Sequence, residues 1–230
     1  MKRFYAVVSV DTAGDDFCIL LDGEQVRTPV GALLTLPTRL LAEAIAKEWA
    51  GQDYEVRPNS MVLMRLAATA IDRIIPAPSA AIDQIAAYAA TDLICYRAES
   101  PAELVTRQGV TWQPLVDWAA DALGAPLKVR ASVVPITQPQ ATLAALHKAV
   151  ACQPPIALAA LHLATVSSGS VVIALALAGG VLDAVAAAQA SQIDETFQAE
   201  LWGEDADAVK SRDALRDDIS TAACFLDLVK

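Results

Sequence analysis

The sequence predicts an α+β protein in which a small β-rich N-terminal domain is followed by a larger, mostly α-helical domain. Short runs of β-branched and aromatic residues, separated by turn signals, occupy roughly the first 36 residues. From residue 38 onward, apolar residues recur instead at helical spacing. The chain is 55% hydrophobic but only 5% aromatic, and its many Ala, Leu and Val residues favour helices that pack through small side chains.

Four short strands are predicted in the β-rich module. Asp22-Gly23 can adopt the positive φ angles of a hairpin turn, and Pro29 with Gly31 marks a second turn. The strands expected around these turns span residues 3–10, 17–21, 25–28 and 33–36. The segment after Asp22-Gly23 is expected to return antiparallel to the segment before it.

The first helix is predicted from Thr38 to about Gly51. Thr38 suits the N-cap position, and apolar residues recur at helical spacing between these two residues. Residues 57–60 contain proline, asparagine and serine and are typical of a connector. We therefore place the domain boundary here, with a β-rich domain that includes one helix at residues 1–58 and a helical domain at residues 59–230.

Helices are predicted through most of the second domain. They are expected at residues 61–75, 79–90, 101–123, 140–151, 155–165, 181–202 and 206–229. The last of these is amphipathic, because Leu215, Ile219 and Leu226 fall on one stripe. No Gly/Ser-rich linker separates the two domains, so we expect them to dock rather than to tumble separately.

One apolar segment, residues 156–182, carries no charged side chain and is long enough to cross a bilayer. Ser167–Ser170 divides it in the middle and Gly179-Gly180 closes it, so each half is too short to span alone. We therefore expect a buried helical hairpin, or a helix with a buried strand, and no integral membrane segment. Peripheral attachment to anionic lipid would need a basic face that this acidic chain does not supply.

The charge balance bounds the class of partner. With 27 acidic and 17 basic residues the formal net charge is -10, which repels nucleic-acid phosphates, so no nucleic-acid partner is expected. The four cysteines lie far apart and form no C-x-x-C pair, which gives little support to a zinc site or a disulfide framework. Acidic residues also interrupt any secretory signal near the N-terminus, and a reducing interior compartment is expected.

The residues of common catalytic sites are not arranged in a recognisable set. His147 and His162 lie in Ala/Leu-rich sequence, where packing is the commoner role, and no glycine-rich nucleotide-binding loop is present. The carboxylates at residues 204–207 could be imagined as a metal cluster, but a solvated acidic helix start is the better interpretation. We therefore expect no catalytic residues, no cofactor and no metal.

An enzyme of unknown type is kept as the alternative. It would use Asp92, Tyr96 and Arg97 as a polar cluster inside an otherwise apolar pocket. A deep closed pocket where these three side chains converge would favour this alternative.

Aromatic residues beside charges suggest a protein interface. Trp49 follows Glu48 at the end of the first predicted helix, and Trp202 precedes Glu204 and Asp205. Large aromatic side chains next to charges are common anchors of protein interfaces. Core packing is the other interpretation of every tryptophan, and it is preferred for Trp112 and Trp118, which lie on one predicted helix.

A set of short motifs, in order along nearly the whole chain, resembles the Atp-twelve family of ATP synthase assembly chaperones. The motifs are Lys2–Tyr5, Leu21–Gly23, Thr28–Gly31, Leu36-Pro37, Leu41–Trp49, Gln52, Pro58–Met61, Ala70–Asp72, Tyr88, Thr91–Arg97, Gln108, Trp112–Leu115, Gln198 and Trp202–Asp205. Each motif is weak alone, but their order and spacing together are specific.

The resemblance implies a chaperone without catalytic activity whose client is the unassembled alpha subunit of the ATP synthase F(1) sector. It also implies the two-domain α+β fold. We expect Trp202, Glu204 and Asp205 to form part of the client-binding surface, with Glu48 and Trp49 either joining it or fixing the two domains together. The protein is expected to be a monomer in the bacterial cytoplasm, or in the mitochondrial matrix as a mature organellar chain.

Overall fold

The protein has the expected α+β architecture, with a small sheet near the N-terminus and helices through most of the remaining chain. The computed structural model describes residues 2–132 and 134–230. Contacts between Cα atoms divide the chain into two compact units. The first contains the residues up to Pro78 together with Pro154–Ala160 and Cys224–Lys230, and the second contains Ser79–Gln153 and Leu161–Ala223.

The first unit is built on an antiparallel sheet. Its strands are β1 (Val8–Ala13), β2 (Asp16–Leu21), β3 (Glu24–Gln25) and β4 (Thr35–Leu36). The long hairpin pairs Val8 with Leu21 and Ala13 with Asp16, and β3 and β4 each pair with a different part of β2. Each of the four predicted strands overlaps an observed strand, although β1 begins at Val8 rather than at residue 3, and β3 and β4 are shorter than predicted.

The predicted turn at Asp22-Gly23 is confirmed. Asp22 has φ 51° and Gly23 has φ 91°, the left-handed region that a tight hairpin requires. The Asp22 carboxylate also accepts hydrogen bonds from the main-chain N–H groups of Ala6 and Val7, at 3.0 and 2.7 Å. These bonds satisfy backbone donors just before β1, which explains why the strand itself starts later.

The first helix, α1 (Arg39–Ala50), packs against the sheet. As predicted, Thr38 is its N-cap: the side-chain oxygen accepts from the N–H of Leu41 at 3.2 Å. Leu41 and Ile45 are completely buried on one face of the helix, because their four-residue spacing places them one turn apart. They meet fully buried sheet residues such as Ile19 and form the core of this unit.

The next helix continues this first unit. It runs as α2 (Val62–Thr69) and then as a π-helical turn (Ala70–Ile74), which matches the helix predicted at 61–75. Because α2 packs on α1, the predicted boundary after residue 58 lies inside the first compact unit, which continues to Pro78. As a boundary between independently folding domains it stays a prediction.

Eight further helices follow along the chain in the described residues. They are α3 (Pro78–Ala87), α4 (Ala102–Leu123), α5 (Gln140–Ala151), α6 (Leu158–Ser168), α7 (Val171–Ala178), α8 (Ala184–Ser191), α9 (Ile193–Trp202) and α10 (Ala206–Leu228). Short 3-10 turns at Pro58–Ser60, Tyr88–Thr91 and Leu93–Cys95 complete the helical elements.

The apolar stretch at 156–182 forms two helices, α6 and α7, separated at Gly169. Val171–Leu177 is buried at every position, and α7 packs against α4, α5 and α8. The charge-free sequence is thus explained by protein on all sides of α7. The expected break is present and the second half is helical, so the strand alternative is wrong. Among residues 2–132 and 134–230, no helix combines the length and the apolar character needed to cross a membrane.

Two local features differ from the predicted helical pattern. The single helix predicted at 181–202 is wrong: Gln192, with φ -119° and ψ 22°, separates α8 from α9. Two short strands, β5 (Tyr96–Arg97) and β6 (Arg130–Ala131), also pair in parallel, in segments between predicted helices for which no strand was predicted. Strands of two residues are too short to show the period-two alternation that sequence reasoning uses.

Candidate partner-binding surface

The end of α9 exposes an apolar pair to solvent. Leu201 is 56% exposed and Trp202 is 79% exposed, the largest exposed fraction among the large apolar side chains described. Gly203 follows with φ 88°, a conformation that ends the helix sharply, and its N–H donates to Ala199 O at 2.9 Å. A tryptophan exposed to this extent contributes little to its own core and is available to a partner.

Glu204 is fixed beside this apolar pair by an ion pair. Its Oε1 lies 2.7 Å from Nη2 of Arg212 on α10. The Arg212 side chain is only 12% exposed, whereas that of Glu204 is 66% exposed. The largely buried guanidinium therefore holds the carboxylate in place, and the carboxylate remains in contact with solvent.

Asp205 has a structural role at the start of α10. Its Oδ2 accepts hydrogen bonds from the N–H groups of Asp207 and Ala208, at 3.2 and 3.0 Å. This is the arrangement of an N-cap, which satisfies amides that have no partner within the helix. Among the described residues, no three His, Cys, Asp or Glu side chains are arranged to hold a metal ion, so the acidic start of α10 is explained by capping and pairing.

A shallow cleft of about 470 Å³ lies between α4, α8 and α9. Its lining includes Val110, which is 72% exposed, and Arg107, which pairs with Glu103 and Glu200 at 2.7 Å each. The Arg107–Glu200 pair joins α4 to the same helix that carries Trp202. This cleft was not predicted from the sequence. The feature that could have indicated it is Val110, an apolar residue among polar ones on the same face of α4.

Glu48 connects α1 to α2 within the first unit. Its two carboxylate oxygens accept from the N–H groups of Leu63 and Met64, both at 2.8 Å. Burial raises the pKa of Glu48 above its ordinary value, and these hydrogen bonds oppose the shift. Glu48 thus fastens the helix of the predicted N-terminal domain to the first helix of the predicted C-terminal domain, and its part in client binding stays a prediction.

Trp49 is buried, in contrast to Trp202. It is 9% exposed, and its ring packs edge-on against Tyr5 with the centroids 5.6 Å apart. The Tyr5 hydroxyl donates to the carbonyl of Trp49 at 2.7 Å, which ties the chain start to the end of α1. Trp49 belongs to the first unit, whereas Trp202, Glu204 and Asp205 belong to the second.

The other two tryptophans follow the packing interpretation to different extents. Trp112 is 1% exposed and its indole N–H donates to Ala190 O at 2.7 Å. Trp118 is half-buried on the same helix, where it approaches Gly179. Both side chains therefore serve contacts within the second unit.

The three residues of the enzyme alternative have separate partners. Asp92 is completely buried and accepts from the N–H groups of Ile94 and Val172, at 3.3 and 3.2 Å. The Tyr96 hydroxyl accepts from the N–H of Ile136 at 3.2 Å. Arg97 donates from Nε to the carbonyl of Ile94 at 2.9 Å, and its guanidinium lies over the Trp112 ring. These contacts stabilise helix ends and a short strand.

Burial raises the pKa of Asp92 to about 6. Desolvation is the main cause, and hydrogen bonds from Ser170, Val172 and Ile94 act in the opposite direction. Because each bond goes to a helix or turn start, the shift is explained by a buried cap.

The comparisons with known proteins agree with this fold. A family model described as ATP12 chaperone protein matches residues 2–120 of the chain. The chain is also similar to the crystal structure of Atp12 from Paracoccus denitrificans, at 38% identity and a TM-score of 0.96, over 100% of this chain and 98% of that one. A point mutant of P. denitrificans Atp12p gives the same values.

A further solved structure supports the same assignment. It is a candidate chaperone from Agrobacterium tumefaciens, at 40% identity and a TM-score of 0.93, with 100% of this chain and 86% of that one covered. The family expected from the sequence motifs is thereby confirmed: the chain belongs to the ATP12 chaperone family.

Proposed function

We propose that the protein binds the unassembled alpha subunit of the ATP synthase F(1) sector as a monomer and prevents its aggregation until it assembles with the beta subunit. The observation that carries the proposal is the exposed pair Leu201-Trp202 beside a carboxylate that the protein holds in place. Family membership supports the chaperone role. We further propose that the protein catalyses no reaction.

A subunit that awaits assembly exposes apolar surface meant for its neighbours, and such surface drives aggregation. Covering it requires an apolar anchor, and tryptophan is among the residues that contribute most at interfaces. Trp202, at 79% exposed, supplies such an anchor without any rearrangement of the core. The cleft between α4, α8 and α9 offers further surface that a client can cover.

The charges around this anchor define the complementary client surface. Residues 194–207 contain six carboxylates and no basic residue. Three of them, Glu200, Glu204 and Asp207, pair with basic side chains of other helical positions, and the other three have no cationic partner among the described residues. An apolar patch rimmed by basic side chains would therefore match this surface, and rim charges aid encounter more than they add to affinity. An interface with one apolar anchor and a charged rim is small, which suits a chaperone that must later release its client.

The central test replaces Trp202 with alanine. The fold should be almost unaffected, since exposed substitutions change the free energy of unfolding by about 0.5 kcal/mol or less. Capture of freshly diluted alpha subunit should weaken by at least about tenfold, the loss of about 1.4 kcal/mol expected for a contributing anchor. Pull-down and light scattering of the aggregating subunit measure capture, and a thermal melt measures stability.

The matched control is Tyr54→Ala, another exposed aromatic residue, in the first unit, at 69% exposed. It should leave capture unchanged. Glu204→Lys tests the acidic side of the same surface, and Glu204→Gln separates loss of charge from reversal of charge. Capture at wild-type strength in Trp202→Ala and Glu204→Lys, with both proteins folded, would rule out this surface.

A further inference from the structure

A second cleft, to which no function has been assigned above, lies wholly within the first unit, beside the C-terminal end of α1. Its volume is about 550 Å³, and it lies between the turn at Pro29, the end of α1 and the helix formed by α2 and its π-helical turn. Its apolar lining includes the buried side chains Trp49, Val56, Met61, Met64 and Ala68. Methionine side chains are flexible and polarizable, and they adapt to apolar groups of different shape.

Two polar atoms in the residues that line this cleft have no hydrogen-bond partner among the described residues. They are the indole Nε1 of Trp49, a donor, and Oδ1 of Asp72, an acceptor, and both atoms are buried. The Trp49 side chain belongs to a residue that is only 9% exposed. Buried polar groups are nearly always paired in folded proteins, so a ligand that offers both an acceptor and a donor would satisfy the unpaired atoms of these two lining residues.

The rim of the cleft is basic although the whole chain is acidic. Arg27, Arg65 and Arg73 line it, against the single carboxylate of Asp72. Arg65 and Arg73 are exposed, and their side chains make no hydrogen bond or ion pair with other described residues, whereas the Arg27 side chain donates to Gly31 O at 2.8 Å. Two guanidinium groups are thus free to bind carboxylates.

We propose that this cleft binds an extended apolar segment of polypeptide that carries acidic side chains beside its apolar residues. A peptide backbone offers both a carbonyl for the Trp49 N–H and an N–H for the Asp72 carboxylate. The apolar side chains of the segment contact the methionine-containing floor, and its acidic side chains pair with Arg65 and Arg73. A fatty acid would also suit an apolar floor and a basic rim, but it has no N–H to offer Asp72.

The inference depends on the proposed chaperone function only in that a client would supply the segment. The cleft has a basic rim, whereas the surface around Trp202, Glu204 and Asp205 is acidic. The two sites therefore bind client segments of opposite charge. A client that used both would present an acidic apolar segment and a basic apolar patch.

The test uses the full chain labelled with nitrogen-15 and two short synthetic peptides. Both peptides have the same central leucines and valines, one with flanking glutamates and the other with flanking lysines. The glutamate peptide should shift the indole N–H resonance of Trp49, assigned as the signal that Trp49→Phe removes, and leave that of Trp202 unchanged. Titrations followed at this Trp49 resonance should show at least about tenfold tighter binding of the glutamate peptide than of the lysine peptide, because binding of the lysine peptide at the acidic Trp202 surface does not affect this signal.

The double variant Arg65→Glu with Arg73→Glu reverses the charge of the rim without changing the packing of the core, because both side chains are exposed. Its melting temperature should match that of the wild type, and its affinity for the glutamate peptide should fall at least about tenfold. Equal affinities of the two peptides in titrations of the Trp49 resonance, or a shift of the Trp202 resonance alone by the glutamate peptide, would overturn the inference.

The two proposals fail in distinguishable ways. If peptide binding is absent while capture of the alpha subunit still depends on Trp202, only the cleft inference is lost. If the glutamate peptide binds at Trp49 while alpha-subunit capture ignores Trp202→Ala, the cleft stands and the proposed client surface is lost.

Discussion

Asp92 has no solvent exposure, yet its carboxylate organises two local structures. It accepts from the N–H of Ile94, at the start of a 3-10 turn, and from the N–H of Val172, at the start of α7. Sequence reasoning placed Asp92 in the polar pocket of the enzyme alternative. The difference arises because the residue type alone does not reveal whether the acceptor faces substrate or main-chain amides.

Asp92 should make the stability of the protein depend on pH. Its pKa of about 6 in the folded state exceeds the ordinary value of 3.8, so the folded protein binds a proton more readily than the unfolded chain does. The contribution of Asp92 is therefore largest below about pH 4 and declines as pH rises to about 6, by up to about 3 kcal/mol. Urea unfolding across this range measures it.

Asp92→Asn removes the titrating group and should flatten this part of the pH profile. The free energy of unfolding of the variant should rise relative to the wild type as pH increases from about 4 to about 7. Asp121→Asn, at an exposed position of the same unit, is the control and should leave the profile unchanged. An unchanged slope in Asp92→Asn would contradict the assignment.

Helix ends are where the predicted and observed elements differ most. The break between α8 and α9 contains neither glycine nor proline, so the local sequence gives no stop signal. Contacts with other helices instead stabilise it: Trp112 on α4 donates to the Ala190 carbonyl, and the Gln192 side chain donates to the Arg212 carbonyl at 2.8 Å. Tertiary hydrogen bonds here outweigh the helical propensity of an alanine-rich segment.

The N-cap of α10 allows stability and client binding to be separated at one residue. Asp205→Ala should lower the free energy of unfolding by about 1 kcal/mol, because the amides of Asp207 and Ala208 lose their acceptor. Asp205→Asn should retain the cap, since asparagine is as good an N-cap as aspartate. Thermal melts of both variants measure the difference.

Only the charge differs between wild type and Asp205→Asn, so capture by this variant reports on electrostatics alone. We expect its melting temperature to remain near that of the wild type and its capture of the alpha subunit to weaken. Destabilisation of Asp205→Asn as large as that of Asp205→Ala would show that the carboxylate charge, rather than the cap, supports α10.

The whole molecule carries a net charge of -10, and the carboxylates near Trp202 contribute to it. If the client patch is basic, association should be steered electrostatically. The association rate with the alpha subunit should fall as salt increases, because the Debye length shortens from about 10 Å at 0.1 M to about 3 Å at 1 M. Stopped-flow fluorescence at several salt concentrations measures this dependence.

Glu204→Gln with Asp205→Asn should reduce the salt dependence of that rate, while Trp202→Ala should mainly accelerate dissociation. These variants change the charge and the anchor of the same surface separately. A rate that is insensitive to salt would argue against an acidic rim that guides the client.

Local patterns were sufficient to predict the N-terminal strands and most of the helices. The Asp22-Gly23 turn, the Thr38 cap and the helix at Gln140–Ala151 all agree with the structure. Each depends on interactions between residues a few positions apart, which a sequence displays directly. The candidate surface was located by its residues, but its function in binding the client stays a prediction.

The sequence by itself determined the α+β class, the positions of most helices and the acidic character of the chain, because these follow from local periodicity, caps and composition. Only the tertiary structure decided that Trp49 is buried and Trp202 exposed, although each lies beside carboxylates in the sequence. Burial depends on which distant elements pack over a residue, and those contacts leave no signal in its immediate neighbours.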